Sequence, residues 1–104
     1  MGGRGSNARV VGRVSSLRSV RSSLSGMREE SLAQVRAERD AGSPRARRPI
    51  EISVYAGHGA ELVDGRHRVA VARERGDKTI RAKIRHYDRE GNLLHTETKR
   101  VRVD

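Results

Sequence analysis

The second half of the chain alternates between apolar and polar residues, which is typical of strands with one buried face. The alternation runs through residues 50–55 and 80–86, and shorter or less regular strands are expected at residues 61–63 and 93–103. Within residues 80–86 the alternate positions are arginine or lysine, so we expect that strand to present a row of cations. The pattern predicts four strands, with glycine-containing turns between the members of each pair.

Two segments carry helix signals. Ser31 is followed three residues later by Gln34, which is the spacing of a capping box, and the predicted helix ends near Gly42. A second helix is predicted between Asp64, which we expect to cap it, and Gly76, which ends it. Strands and helices in this order predict an α+β fold, with a mixed sheet of four to five strands and two short helices.

The first 30 residues differ, because they are rich in glycine, serine and arginine and hold few large apolar side chains. We expect residues 1–30 to be a flexible basic arm that precedes a folded domain at residues 31–104, since the arm buries too little apolar surface to offset chain entropy. Apolar residues nevertheless recur at intervals of three or four. The alternative is therefore that residues 10–27 form an amphipathic helix when a protein partner covers its apolar face. These apolar residues are Val10, Val14, Leu17, Val20, Leu24 and Met27.

Composition narrows the classes of protein that fit. The formal net charge is +10, of which residues 1–49 carry +7 and the rest +3. There is no cysteine, which excludes disulfides, thiolate metal sites and thiol nucleophiles. No apolar run approaches the roughly 20 residues that cross a bilayer, so we expect a cytoplasmic protein without a membrane partner. With no Phe or Trp, the core must be built from Ile, Val, Leu and Ala.

The candidate chemistry lies in a short loop between a predicted strand and a predicted helix. Gly65 allows the backbone to turn sharply. The free N–H groups of the helix start, the helix dipole and the Arg68 guanidinium would then attract an anion. We expect a phosphate or nucleotide site formed by Gly65, Arg66, His67 and Arg68. The alternative is a structural turn in which Arg68 pairs with a nearby carboxylate.

This loop and its flanks resemble the ParB/sulfiredoxin-type fold. In that family a strand ends in a Gly-x-His-Arg loop, a helix follows, and the next strand begins just after a glycine. In this chain the loop is followed by a predicted helix that contains Ala70 and Ala72. Gly76 then precedes the strand that begins near Thr79-Ile80. Upstream, a short helix and a glycine precede Pro49-Ile50, which is similar to the first strand of the family. The resemblance covers roughly residues 31–87 and implies a small ParB/sulfiredoxin-like domain.

The resemblance also implies a ligand. Family members bind or hydrolyse nucleotides, transfer phosphoryl groups or act as nucleases, and the matching glycine, histidine and arginine contact phosphate, so the ligand here could be a nucleoside triphosphate with Mg²⁺. Arg66 stands where the sulfiredoxin branch has its cysteine, which excludes reduction of sulfinic acid. Phosphoryl transfer needs carboxylates that hold Mg²⁺ or orient a base, and the candidates nearest the loop are Asp64 and Glu51.

Arginines outside the loop form a second candidate site, for the backbone of a nucleic acid. They would neutralise phosphates in a salt-dependent and sequence-independent way. The lack of stacking aromatics argues against a dedicated single-strand reader. The four histidines show no metal-ligand spacing, so no metal site is predicted. The arginines are Arg13, Arg18, Arg21, Arg45, Arg47 and Arg48.

Two functional hypotheses follow. The first is a ParB-like module that binds phosphate or nucleotide, with nucleotide hydrolysis or nuclease activity left open, and that associates with nucleic acid through the arm. The second is a non-enzymatic structural or interaction component of phage or mobile-element type, in which the fold is a scaffold and the arm docks. The second is favoured because the chain shows neither the acidic motif expected of the serine kinases of the family nor the second arginine-bearing nucleotide motif that ParB partition proteins carry.

Overall fold

Alternating apolar residues form the centre of a mixed five-stranded sheet, and two helices accompany it, which confirms the predicted α+β class. The computed structural model describes residues 13–22 and 27–104. Its strands are β1 (Val20–Arg21), β2 (Ile50–Tyr55), β3 (Gly59–Asp64), β4 (Thr79–Tyr87) and β5 (Leu93–Arg102). Its α-helices are α1 (Glu29–Asp40) and α2 (Arg66–Glu74), and 3-10 turns lie at Leu17–Ser19 and Pro44–Arg47.

The strands lie in the order β1, β3, β2, β4, β5. The pairs β2–β3 and β4–β5 are antiparallel hairpins, whereas β2 and β4 are parallel and are connected through α2. A parallel pair needs such a crossover, because its strands run in the same direction. The short strand β1 adds in parallel to the outer edge of β3.

The register explains why the predicted alternation produces one core. Ile50 pairs with Ala82 and Ile52 with Ile84, so the apolar positions of neighbouring strands share one face, and Val69 of α2 packs on it. The polar positions of β4 fall on the opposite face, where the expected row of cations lies. The core is aliphatic, as composition required: Val14, Leu17, Val20, Ile50, Ile52, Val54, Ala60, Val69, Ala82, Ile84 and Val101.

Both helices end as predicted, but their first turns differ from the sequence expectation. Helix α1 begins at Glu29, two residues before the capping box, and its N-cap residue Arg28 makes no side-chain bond to the first turn. Acidic residues in the first turn favour this earlier start, because they complement the helix dipole. In α2 the N-cap position belongs to Gly65, with φ 109°, so the prediction that Asp64 caps the helix is wrong.

Helix α1 lies against α2 and contributes no fully buried side chain. Ion pairs connect it to α2 and to the residues that follow α2. Arg36 reaches Glu74 at 2.8 Å, and Arg39 reaches Asp77 at 2.6 Å. Helix α1 is therefore held mainly at the surface of the domain.

The segment before α1 is part of the core. Residues 15–21, which we call the strap, connect the two sides of the sheet: Arg102 N–H of β5 donates to Ser15 O at 2.9 Å, while Val20 pairs with Ala60 of β3. Leu17, between these contacts, is 6% exposed. A strap that reaches both β5 and β3 closes the core on the side where its apolar residues point.

The strap corrects two expectations for the arm. Within residues 13–22 the chain forms a 3-10 turn and a two-residue strand, and not an amphipathic helix. The apolar residues Val14, Leu17 and Val20 are already buried in this domain, so they are not available to a separate protein partner. Of the other residues that carried the prediction, Val10 and Leu24 lie outside the described residues, and Met27 lies just before α1 and outside any helix.

Among the helices of residues 13–22 and 27–104, none combines the length and the apolar character that crossing a bilayer demands.

Candidate anion-binding cleft

A cleft of about 560 Å³ opens at the end of the sheet where β3 passes into α2. Its walls come from the residue after β1, one side of α1, the 3-10 turn at Pro44–Arg47 with the residue that follows it, and the loop at Gly65. Its polar and charged lining residues are Ser22, Ser31, Gln34, Glu38, Arg45, Arg48, Asp64, Arg66, His67 and Arg68. All four residues of the predicted phosphate loop therefore line one concave surface.

Gly65 fixes the shape of the loop. Its φ of 109° lies in the left-handed region, and a Cβ atom there would stand 2.5 Å from Cγ2 of Ile50, a fully buried residue of β2. Only glycine fits this close approach. The first turn of α2 is thereby pressed against the core of the sheet.

The first amides of α2 are available to a ligand. The first hydrogen bond of the helix runs from Val69 N–H to Gly65 O, at 2.9 Å. Within the part of the chain that the structure describes, nothing accepts from the amides of Arg66, His67 or Arg68. These N–H groups and the positive end of the helix dipole favour an anion in the cleft.

The contacts of Arg68 are those of the structural alternative, in which it pairs with a nearby carboxylate. Its guanidinium donates to the backbone oxygens of Arg48 and Pro49 and to the Asp64 carboxylate, and its side chain is only 16% exposed. Arg68 therefore holds the segment before β2 against the first turn of α2. Its charge still contributes to the potential of the cleft, but its guanidinium is engaged by the protein.

Two other arginines are better placed to meet a ligand. Arg48 and Arg66 line the cleft, and among the described residues neither guanidinium has an ion-pair partner or a hydrogen-bond acceptor. Arg45 lines it too, with the Glu38 carboxylate 3.8 Å from its guanidinium. Four arginines and two acids thus surround the cleft, which leaves an excess of positive charge.

His67 contributes an unpaired polar atom. Its Nε2 is shielded from solvent and has no hydrogen-bond partner in the described part of the chain. A buried nitrogen without a partner costs free energy, so His67 is held in place at some expense of stability.

The two catalytic candidates are not brought together. Glu51 bonds to Arg85 of β4 at 2.6 Å and does not line the cleft; this hydrogen bond holds the pKa of Glu51 below its usual range. Asp64 lines the cleft but accepts from Arg68. The arrangement therefore places no pair of unengaged carboxylates around the cleft within the described residues.

The predicted nucleic-acid arginines fall into two groups. Arg45 and Arg48 line the cleft, and Arg47 lines a neighbouring depression between α1 and α2. Arg21 lies on the strap, where its guanidinium donates to His58 O at 2.6 Å. Neither it nor the other two, Arg13 and Arg18, lines the cleft.

Sequence reasoning missed a second cluster, on the β4–β5 hairpin. His86 and His95 pair across the strands with their rings stacked 4.3 Å apart, and His86 Nε2 lies 2.8 Å from a Glu97 carboxylate oxygen. Burial raises the pKa of Glu97, but the hydrogen bond from His86 and the nearby Lys99 outweigh it, so the pKa is below its usual range. The signal in the sequence was the hairpin register, which places the two histidines opposite each other.

Comparisons with models of known families, with curated proteins and with solved structures find no match to this chain. The resemblance to the ParB/sulfiredoxin-type fold therefore stays a prediction that depends on the residues quoted for it.

Proposed function

We propose that the chain is a phosphate-binding module of ParB-like type, and that the cleft beside Gly65 holds the phosphate of a nucleotide. The observation that carries the proposal is the meeting of three unpaired amides, at the start of α2, with the guanidinium groups of Arg48 and Arg66. Amides supply directional donors, and arginines supply charge and two-pronged hydrogen bonds.

The size of the cleft supports a nucleotide as the ligand. Small-molecule sites typically enclose roughly 300–1,000 Å³, and this cleft encloses about 560 Å³. Ser31 and Gln34 of α1 line the wall opposite the loop and offer polar groups to a sugar or base. We therefore place phosphate at Gly65–Arg68 and the rest of the nucleotide toward α1.

Binding without hydrolysis is the favoured form of this function. Glu51 and Asp64 already bond to arginines of the protein, so neither is poised to hold Mg²⁺ or to orient a water molecule. Because both carboxylates are engaged, the second hypothesis is the favoured setting for nucleotide binding: a non-enzymatic component of phage or mobile-element type. We also propose a cytoplasmic location, because nucleotides and nucleic acids are found there.

Nucleic-acid association is an extension of the same proposal. Arg45 and Arg48 line the cleft and Arg47 lies between them in sequence, so a phosphodiester backbone that enters the cleft would meet further cations. Such binding should weaken steeply with salt, whereas binding of a free nucleotide should depend on salt less.

The test is a titration of the full chain with ATP, CTP, GTP, inorganic phosphate and short duplex DNA, followed by ¹⁵N chemical shifts. We expect nucleotide to shift the amides of Arg66, His67 and Arg68 first. Arg48→Ala and Arg66→Ala should each weaken binding about tenfold or more, because a hydrogen bond to a charged group contributes about 1.5–3 kcal/mol.

Arg89→Ala is the matched control, since Arg89 is an exposed arginine in the β4–β5 turn that lines neither the cleft nor the neighbouring depression. It should leave nucleotide affinity within about twofold if the cleft, and not net charge, binds the ligand. Equal losses for Arg89→Ala and Arg66→Ala, or no shifts at millimolar nucleotide, would contradict the proposal. Tight binding of DNA with no response to nucleotide would shift the function to the nucleic-acid backbone.

A further inference from the structure

Two histidines and a glutamate meet on the β4–β5 hairpin, away from the cleft. His86 of β4 lies directly opposite His95 of β5, and Glu97 follows two residues later on the same face of β5. One ligand atom from each residue lies within 4.8 Å of the other two. The hairpin pairing sets this proximity.

One residue of the cluster is buried in the domain, and another is exposed to solvent. His86 is 7% exposed, Glu97 is half-buried, and His95 is exposed at the outer strand of the sheet. An ion could therefore approach from solvent and meet one well-fixed ligand, while the exposed ring of His95 has room to turn toward it.

We propose that His86, His95 and Glu97 form a binding site for one divalent transition-metal ion of the zinc class. Two imidazole nitrogens and one carboxylate oxygen are a donor set that zinc uses, with a fourth position left for water. The same donors disfavour Mg²⁺ and Ca²⁺, which prefer oxygen ligands only.

The three side chains must move closer together to bind one ion. Zinc bonds of about 2.0–2.1 Å in a tetrahedral site bring ligand atoms to roughly 3.3 Å from one another, and here they start within 4.8 Å. Rotation of the His95 ring out of its stack on His86 closes this gap, and the ion replaces the hydrogen bond between His86 and Glu97. The bound ion would then link β4 to β5 near the end of the hairpin.

The full chain should be titrated with ZnCl₂ in a phosphate-free buffer by calorimetry, and with Co²⁺ by visible absorption, which reports tetrahedral coordination directly. We expect one equivalent to bind and millimolar Mg²⁺ not to compete. His95→Ala and Glu97→Gln should each weaken zinc binding at least tenfold, since each removes one of three ligands. Both positions are accessible to solvent, so circular dichroism should show both variants folded.

His58→Ala is the matched control, because His58 is an exposed histidine in the β2–β3 turn, on another part of the sheet. It should bind zinc within about twofold of the parent chain. Saturable binding that is lost in His95→Ala and Glu97→Gln but kept in His58→Ala supports the site. No saturable binding up to millimolar zinc, or equal affinities in all three variants, overturns it.

Discussion

The strap and helix α1 are attached to the domain in opposite ways. The strap buries Leu17 and Val20 in the core, although it contains only one 3-10 turn and a two-residue strand. Helix α1 has 12 residues and buries none of them fully. It is held by ion pairs that remain partly exposed, such as Arg39 with Asp77 and Arg75 with Asp40.

This difference shows that a segment with regular secondary structure need not contribute more to the stability of the domain than an irregular one. A buried large aliphatic side chain contributes roughly 1.5–3 kcal/mol, whereas an exposed ion pair contributes about 0–1 kcal/mol. The irregular segment should therefore stabilise the domain more per residue than the regular helix does. Each prediction below tests one side of this comparison.

The largest effect is expected for Leu17→Ala in the strap. Removing a buried leucine side chain should lower the free energy of unfolding by about 2–5 kcal/mol, measured by urea denaturation. Arg18→Ala, at the exposed neighbouring position, should change it by no more than about 0.5 kcal/mol. A loss below about 1 kcal/mol for Leu17→Ala would mean that the strap is not part of the cooperative core.

Gly65→Ala tests how α2 is attached to the sheet. Helix α2 is regular like α1, but it buries side chains in the domain as the strap does. The new Cβ would clash with Ile50 at a positive φ, so we expect a loss of about 2–4 kcal/mol in thermal or urea unfolding. Gly76→Ala is the control, because Gly76 has φ +77° but no described atom beyond its chain neighbours lies within 4 Å of where its new Cβ would stand. That change should cost only the conformational penalty of about 1–2 kcal/mol. Equal losses would remove the close approach to Ile50 from the explanation.

Acid should release α1 before it affects the strap. Hydrogen bonds from Arg75, Arg36 and Arg39 hold the pKa values of Asp40, Glu74 and Asp77 below their usual ranges.

A carboxyl whose folded pKa is lowered stabilises the fold above its ordinary pKa, and this contribution is lost as pH falls through the folded value. Amide exchange from pH 6 down to about 3 should therefore show α1 losing protection first. Simultaneous loss in the strap and α1 would contradict the difference between them.

The smallest effect is expected for Arg39→Ala. It removes the pair with Asp77, whose side chains are 36% and 31% exposed, and should lower the free energy of unfolding by about 0.5–1 kcal/mol. High salt should shrink the difference between variant and parent. Arg89→Ala is the control, because Arg89 is an exposed arginine in the β4–β5 turn without an ion-pair partner among the described residues, and it should change the free energy of unfolding by no more than about 0.5 kcal/mol. A loss above about 2 kcal/mol would show that ion pairs anchor α1 more firmly than we infer.

The strands that cover the core were predictable because alternation reports a buried face directly. Ile50, Ile52 and Val54 did so for β2, and the same held for β4. Helix α2 was predictable from its flanking glycines, Gly65 and Gly76. The strap was not, because a two-residue strand has no pattern of its own and its pairing depends on the position of a distant edge strand.

The candidate sites also contain features that were predictable from the sequence and features that were not. The Gly65 loop could be found from local residue types, since glycine followed by basic residues at a helix start is a local signal. That Arg68 is engaged by the backbone oxygens of Arg48 and Pro49 depends on where the segment before β2 runs, which the loop sequence does not specify. The pairing of His86 with His95 required an exact hairpin register, and a bulge after His86 shifts that register.

The strap also constrains the order in which the domain can be completed. The Ser16 hydroxyl bonds to the backbone oxygen of Asp104, which is 88 positions away along the chain, and Ser15 bonds to Arg102. Contacts between such distant positions carry the greatest loop-closure entropy and slow folding. On the ribosome, residues 15–16 must therefore wait for β5, the final strand in chain order, to emerge before they can dock.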